Sequence, residues 1–171
     1  MATITRTQIE KSAAIIGSSK ITLAGLDLRP IKNMKEVWLP GANFFETNLQ
    51  GLDFTDAELN GCNFENAAMQ ETIFENANLE NARFYRANLE KADLSSAKLA
   101  GAYFGSAHLQ KTSFTGANLT NANLHHADVR GADFTEATLI GVSLLGARYD
   151  QATKWPSGLL PLLTGALFER S

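Results

Sequence analysis

The sequence predicts an all-β solenoid in which short extended segments, joined by bends, are wound into a stack of coils. Three observations predict it. A large apolar residue falls at every fifth position, without exception over "ANLENARFYRANLEKADLSSAKLAGAYF", Ala77 to Phe104. A small residue stands two places before most of these centres, and it is alanine in 16 of the 22 units centred from Phe44 to Tyr149. The three- and four-residue apolar steps of an amphipathic helix are missing from this region. One large and one small inward position suit an extended segment. Five residues cannot bury their own face, so the units must stack.

Taken in chain order, residues 1–33 break the pattern and form an N-terminal capping segment. Within it "TRTQIEKSAAII" puts Ile9, Ala13 and Ile16 on one face of a short helix, with Thr5 or Thr7 as N-cap. "ITLAGLDLRP" then leads as a degenerate approach into the first coil. A solenoid needs such a cap because its ends expose unpaired strand edges and core.

The repeat itself occupies residues 34–151. Centres can be read in phase from Met34 to Tyr149, which makes 24 units, the first two imperfect. Where alanine is absent two places before a centre, Thr47, Thr72, Thr112, Cys62, Val142 or the single large exception Leu52 stands there. After each centre come turn formers such as Gly51, Gly61, Asn66, Asn76, Gly101 and Asn121, which tolerate positive φ. Sorted at twenty-residue intervals, the centres fall into four columns. One runs Met34, Phe54, Phe74, Leu94, Phe114, Phe134, and the next is pure leucine from Leu39 to Leu139. The third holds Phe44, Phe64, Phe84, Phe104, Leu124 and Leu144, and the fourth is mixed, from Leu49 to Tyr149. Phe-rich columns alternate with Leu-rich ones, so the number of faces is even. The difference between the two Leu-rich columns favours a twenty-residue coil over a ten-residue one.

Residues 152–171 form the last segment. Leu159, Leu160, Leu162, Leu163, Leu167 and Phe168 are too much apolar surface to leave in water. Two readings stand side by side, an end cap over the last coil and a surface that builds a homodimer.

Motifs such as "ANLEN", "ANLEK", "ADLSS" and "ADFTE" closely resemble the pentapeptide-repeat family, whose motif is A(N/D)Lxx, over about Glu36 to Gln151. "GARYDQATKWPSG" is similar to the closing segment of many such proteins, particularly cyanobacterial ones. The resemblance implies a right-handed parallel β-helix of quadrilateral cross-section with four units per coil. About six coils at about 4.8 Å each would make a rod about 29 Å long. It also implies that dimers through the C-terminal end are common, and that some members modulate type II topoisomerases by imitating duplex DNA.

Composition sets bounds on function. A net charge of −3 over 171 residues points to no basic nucleic-acid binder, so direct nucleic-acid binding is not expected. The single cysteine, Cys62, excludes an internal disulfide and a multi-cysteine zinc site; standing where alanine stands elsewhere, it reads as a small buried hydrophobe. No signal peptide is visible, and "LLPLLTGALF" is about half the roughly 20 residues a membrane span needs. A soluble cytoplasmic protein is expected.

Two outward faces carry charge or aromatic rings. One presents Glu36, Asp53, Asp56, Glu75, Asp93, Asp133 and Glu136 against only Lys35. Seven carboxylates along about 29 Å give one per roughly 4 Å, under half the density of duplex DNA at one per roughly 1.7 Å. This reads as a solvated face. The opposite face shows Phe45, Arg83, Tyr85, Arg86, Tyr103, His125 and His126, and exposed Tyr and Arg dominate binding hot spots. Arg83, Tyr85, Arg86, Tyr103 and His125 are therefore the candidate partner-binding residues. His108, His126 and Asp128 share a corner but form no metal motif. A filled rod offers no cleft, so neither catalytic residues nor a cofactor are expected. The function expected is a non-enzymatic protein-interaction module for an unidentified partner. Its alternatives are a DNA-mimicking modulator of a type II topoisomerase and a structural spacer.

Overall fold

The computed structural model describes residues 4–169, with the side chain of Leu163 left aside. Residues 1–3 and 170–171, assigned above to the two terminal segments, lie outside the described residues, as does the side chain of Leu163.

The period of five is a backbone period. Each unit is a short extended step followed by a tight turn, in which the amide two places before the next centre donates to the carbonyl of the last one, as Ala57 N does to Phe54 O at 3.1 Å. The second residue after the centre has positive φ at every corner from Glu36 to Gly146, between 54° and 73°. Type II turns require this, and asparagine and glycine take it at least cost. Here glutamate, lysine, arginine, serine and histidine take it too, Arg86 at 55° and His126 at 57° among them. Ladder hydrogen bonds on both sides of each corner impose the geometry on them.

Coils pair in parallel at a twenty-residue spacing. Asn33, Trp38, Asn43 and Asn48 bridge to Asp53, Glu58, Asn63 and Ala68, and the four-bridge set repeats as far as Asp128 with Arg148. Backbone bonds alternate along the ladder: Phe44 N donates to Asn63 O at 2.7 Å, and Asn63 N to Ala42 O at 3.0 Å. The columns read from sequence are real stacks. Phe44, Phe64, Phe84 and Phe104 lie 4.8, 5.1 and 4.6 Å apart with near-parallel rings. Across the rod, Phe44 meets Phe54 and Phe104 meets Phe114 edge to face, at 6.2 and 5.9 Å. Phenylalanine thus faces phenylalanine through the core, in the geometry aromatic pairs prefer.

Polar residues at the alanine position are satisfied. The hydroxyls of Thr47, Thr72 and Thr112 donate to Leu23 O, Leu49 O and Leu89 O at 2.7–2.9 Å. Cys62 Sγ contacts Leu39 O in the same way at 3.1 Å, and burial pushes its thiol up to about 12. It is a buried packing residue with an unreactive thiol.

The ends depart from the sequence expectation. Helix α1 spans Arg6–Ile16, capped by Thr5 in a reciprocal pair with Gln8. It buries Ile9 and Ala13, whereas Ile16 is exposed. The ladder then starts earlier than residue 34: Thr22 bridges Asn43, Asp27 bridges Asn48, and Leu23 and Leu28 fill the core. The bridge spacing here is twenty-one. One extra residue, taken up at the turn of Arg29–Ile31 with Lys32 at φ 62°, throws these units out of phase with the count of five.

A second extra residue does the same near the other end, where Asp133 bridges Lys154 and Trp155 stacks on Phe134 at 4.9 Å. The chain then begins one more coil. Strand β1, Arg148–Tyr149, pairs in parallel with strand β2, Leu167–Phe168. The tail covers the core through Trp155 and Ala166, but leaves Leu160, Leu162, Leu167 and Phe168 exposed, Leu162 at 67%. With Ile140 and Leu145 also exposed, this end of the rod is apolar. No helix among the described residues is long and apolar enough to cross a membrane.

Candidate partner-binding face

Arg83 and Tyr103 occupy the outward position just before the centre on successive coils, and are bridged to one another. Tyr85 follows the centre Phe84, and Arg86 sits at the positive-φ corner beyond it. The stacking register brings these four side chains together. The Tyr85 and Tyr103 rings lie 6.0 Å apart at 28°, and the Arg86 guanidinium sits 5.0 Å from the Tyr85 centroid, within cation–π range. Arg83 donates through Nε and Nη2 to Glu65 Oε1 at 2.7 and 2.6 Å. A shallow hollow of about 410 Å³ is lined by Glu65, Arg83, Tyr85 and Tyr103.

Gly105 belongs to this face and the sequence reading missed it. A Cβ there would fall 2.6 Å from Tyr103 Cζ and from its hydroxyl, so only glycine lets the Tyr103 ring lie down across the coil. The signal was present: Gly105 stands just after a centre, one place before the corners where the repeat uses glycine for its φ. His125 sits one coil above Gly105, since Ser106 N donates to its carbonyl. Its contacts run upward and sideways, to Ser143 Oγ through Nε2 and to the His126 ring at 6.5 Å. The structure therefore gathers Arg83, Tyr85, Arg86 and Tyr103, and places His125 with a different set of neighbours.

The acidic face is more occupied than its sequence suggests. Asp53, Asp93 and Asp133 each accept the backbone N–H two residues on, at 2.9–3.0 Å, so their carboxylates serve the turns. Lys35 pairs with Asp53 at 3.1 Å; Lys154, brought over Asp133 by the extra residue below it, pairs at 2.8 Å. This corrects the expectation of a single cation there. Burial alone would push the Asp53 carboxyl up, but hydrogen bonds from Thr55 and Lys35 outweigh it and hold it below the usual range. Asp133 is held down to about 2, chiefly by Lys154 and then by Thr135. A carboxyl depressed in the folded state contributes stability that is intact above its unfolded value near 3.8 and is lost as the pH falls through about 2. The melting temperature should therefore hold down to about pH 4 and drop between about pH 4 and 2. Asp133→Asn should lower it at pH 7 and flatten part of that acid limb; an unchanged limb would show that the pair contributes nothing.

A second polar cluster was not legible in the sequence. The Asp128 side chain, 3% exposed, receives Arg130 through Nε (2.8 Å) and Nη2, Arg148 Nη2 (2.6 Å) and Gln110 Nε2 (2.7 Å). Burial pushes its carboxyl up, and the two arginines more than offset this, so it is lowered overall. Both arginines also reach Glu169 at 3.4 Å, which ties β2 to the rod. The Asp128 carboxylate is thus spent on Arg130, Arg148 and Gln110, while His108, read from sequence at the same corner, is its bridge partner on the preceding coil. Among the described residues no group of three or more His, Cys, Asp or Glu could hold a metal ion.

Comparison with known proteins bears on the whole rod. No curated protein sequence matches the chain. Among solved structures it is similar to a pentapeptide repeat protein from Nostoc Pcc 7120, at 28% identity over 68% of this chain and 84% of that one, TM-score 0.48. It is similar to another from the Arabidopsis thaliana thylakoid lumen, at 36% identity over 54% and 68%, TM-score 0.45. HetL, a pentapeptide repeat protein involved in heterocyst differentiation regulation from Nostoc sp. strain PCC 7120, matches at 20% identity over 96% and 93%, TM-score 0.42. The family model for pentapeptide repeats matches in 8 copies, over residues 39–76, 62–99, 97–135 and 117–148. These matches cover well over half of the sequence, and the chain belongs to the pentapeptide repeat family, with its right-handed β-helix.

Proposed function

We propose that this protein is a non-enzymatic interaction module: a rigid quadrilateral rod, square in cross-section, that presents the Arg83, Tyr85, Arg86, Tyr103 face to a protein partner in the cytoplasm, with His125 at its margin. One observation carries this reading. Four side chains of hot-spot type converge on one patch of the rod, and Gly105 is kept bare to let one of them lie flat. The Arg83→Ala, Tyr85→Ala double variant should keep the wild-type melting curve, since both side chains lie outside the core. It should weaken capture of the partner by about tenfold or more in a quantitative pull-down. Undiminished capture would overturn the assignment of this face.

The reading extends to the ends of the rod. The exposed Leu160, Leu162, Leu167 and Phe168 support a homodimer built through the C-terminal segment, and a strictly monomeric mass in light scattering at high concentration would overturn it.

A second reading, a DNA-mimicking modulator of a type II topoisomerase, is favoured by one feature. Residues 36–82 contain nine Asp or Glu and no Lys or Arg. Against it, Asp53, Glu65 and Glu71 of that span are paired with Lys35, Arg83 and Lys91. Inhibition or protection of gyrase supercoiling by the added protein would favour this reading over the first. A structural spacer with no dedicated partner stays the third alternative, for which the pull-down should return nothing.

A further inference from the structure

We propose that the N-terminal end of the rod is a docking surface for an anionic lipid bilayer. The rod stands end-on, with Ile15, Ile16 and Trp38 entering the interface and Lys11, Lys20 and Lys32 meeting lipid phosphates. This contact does not depend on the Arg83, Tyr85, Arg86, Tyr103 face and leaves it free on the side of the rod.

Exposed large hydrophobic residues lie only at the two ends. Among the described residues none is exposed between Trp38 and Ile140. At the N-terminal end Ile15 is 82% exposed, Trp38 62% and Ile16 49%, and Leu26 joins them. One helix places them together. At the start of α1, which crosses the bottom of the rod, Arg6 Nη1 donates to Asn33 Oδ1 at 3.4 Å. Just beyond its end Ser18 Oγ donates to Pro40 O at 2.9 Å, and Ser19 packs against Gly41. Ile16 and Gly17 therefore come beneath Trp38, which is bridged upward to Glu58 and to no described residue below. Lys11 and Ile15, one turn apart, share the side of α1 turned away from the buried Ile9 and Ala13.

Charge separates this end from the other. Residues 1–35 hold six Lys or Arg and two Asp or Glu. Both acids are taken, Glu10 by Arg6 and Asp27 by Arg29, each at 2.8 Å. Lys11, Lys20 and Lys32 are exposed and form no ion pair among the described residues. At the C-terminal end Arg130, Arg148 and Lys154 are all paired, with Asp128, Glu169 or Asp133. The nine acids of residues 36–82 lie behind the basic end, so the rod carries a dipole that turns this end toward negative charge. The helix, about 10 Å thick, keeps most of them more than the roughly 8 Å Debye length from a surface touching α1.

The form of the surface selects a bilayer over an acidic protein. Ile15 and Trp38 protrude singly, among lysines, from the helix and coil that close the rod. Protein hot spots fill pockets and need a partner of matching shape. A bilayer offers negative headgroups with hydrocarbon directly below, and takes protruding apolar side chains in any arrangement. Tryptophan belongs to that interface, and lysine stems reach from it to the phosphates. Beside α1 a groove of about 240 Å³, lined by Ile4, Ile9, Ile16, Ile21 and Leu23 together with Lys20, offers apolar surface to an acyl chain beside a cation. No spanning segment takes part, so the binding is reversible and weakens with salt.

The test is sedimentation of the full chain with vesicles, read together with tryptophan fluorescence. One set is phosphatidylcholine alone, and the other is equal parts phosphatidylcholine and phosphatidylglycerol. Trp155→Phe isolates the Trp38 signal, since phenylalanine keeps a ring on Phe134. The chain should pellet with the anionic vesicles and stay in solution with the neutral ones, and Trp38 emission should shift to the blue. Lys11→Glu with Lys20→Glu should weaken binding about tenfold or more, and Ile15→Ser with Trp38→Ser about as much, with wild-type melting curves throughout. Leu160→Ser with Leu162→Ser, at the other end, should change nothing. Equal binding to neutral vesicles, no binding to either, or binding that survives the lysine changes would each overturn the proposal. Loss of binding in the Leu160, Leu162 variant would overturn it too, by moving the contact to the C-terminal end. Capture of polyglutamate through the same lysines, without binding to anionic vesicles, would assign the end to an acidic protein instead.

Discussion

Phe84→Ala should lower the free energy of unfolding by about 3–5 kcal/mol, read as a shift of the denaturation midpoint. Phe84 is fully buried between Phe64 at 5.1 Å and Phe104 at 4.6 Å, so truncation removes ring stacking on both sides at once. The site cannot collapse to refill the space. Its backbone is held by Phe84 N to Tyr103 O at 2.7 Å and by Ala87 N to Phe84 O at 3.0 Å, and coils above and below are pinned in the same manner. A residual cavity adds to the lost transfer energy, which places the expected cost in the upper part of the range for large-to-small changes. A shift below about 1 kcal/mol would mean that the ring column is not the core.

Asp128→Ala should destabilise by about 2–4 kcal/mol, the second largest effect expected. Removing one partner of a buried ion pair leaves the others without their charge compensation, at about 3–5 kcal/mol in fully buried cases. Arg130 and Arg148 are 38% and 42% exposed, so water takes over part of their solvation and moderates the loss. Damage should concentrate at the C-terminal end. Leu167 N donates to Ala147 O at 2.7 Å and Glu169 N to Tyr149 O at 2.8 Å, and hydrogen exchange at these two amides should accelerate. Glu169→Gln should have a smaller effect, because both arginines reach Glu169 only at 3.4 Å. Unaltered exchange at Leu167 in Asp128→Ala would show that β2 is held by its backbone bonds alone.

Both predictions concern residues whose roles were unequally legible. Phe84 could be assigned from sequence, because its inward direction follows from the local five-residue step. Asp128 occupies the same sequence position as the turn-forming Asn43 or Asp53, and nothing local distinguishes it. Its partners Gln110 and Arg148 come from the coils on either side, and Glu169 joins through a coil that the sequence pattern had lost. The partner-binding face shows the same division. Arg83, Tyr85, Arg86 and Tyr103 stood out as departures from small polar residues, but the grouping of these four, the distance of His125 from them and the part played by Gly105 follow from register.

By itself the sequence determined the period, the inward columns, the corners that need positive φ and the family. All of these are set within a few residues, by the alternation of one large and one small side chain with a turn. Only the tertiary structure decided where the coils start and stop, and which outward side chains meet. In a solenoid the spatial neighbour of a residue is twenty positions away, and a single extra residue, as at Arg29–Ile31 or between Asp133 and Lys154, lengthens to twenty-one the spacing of the pairs that straddle it. Counting by fives cannot see that shift. The hydrogen-bonded ladder absorbs it at a turn, and carries Lys154 to Asp133 and Leu167 to Arg148.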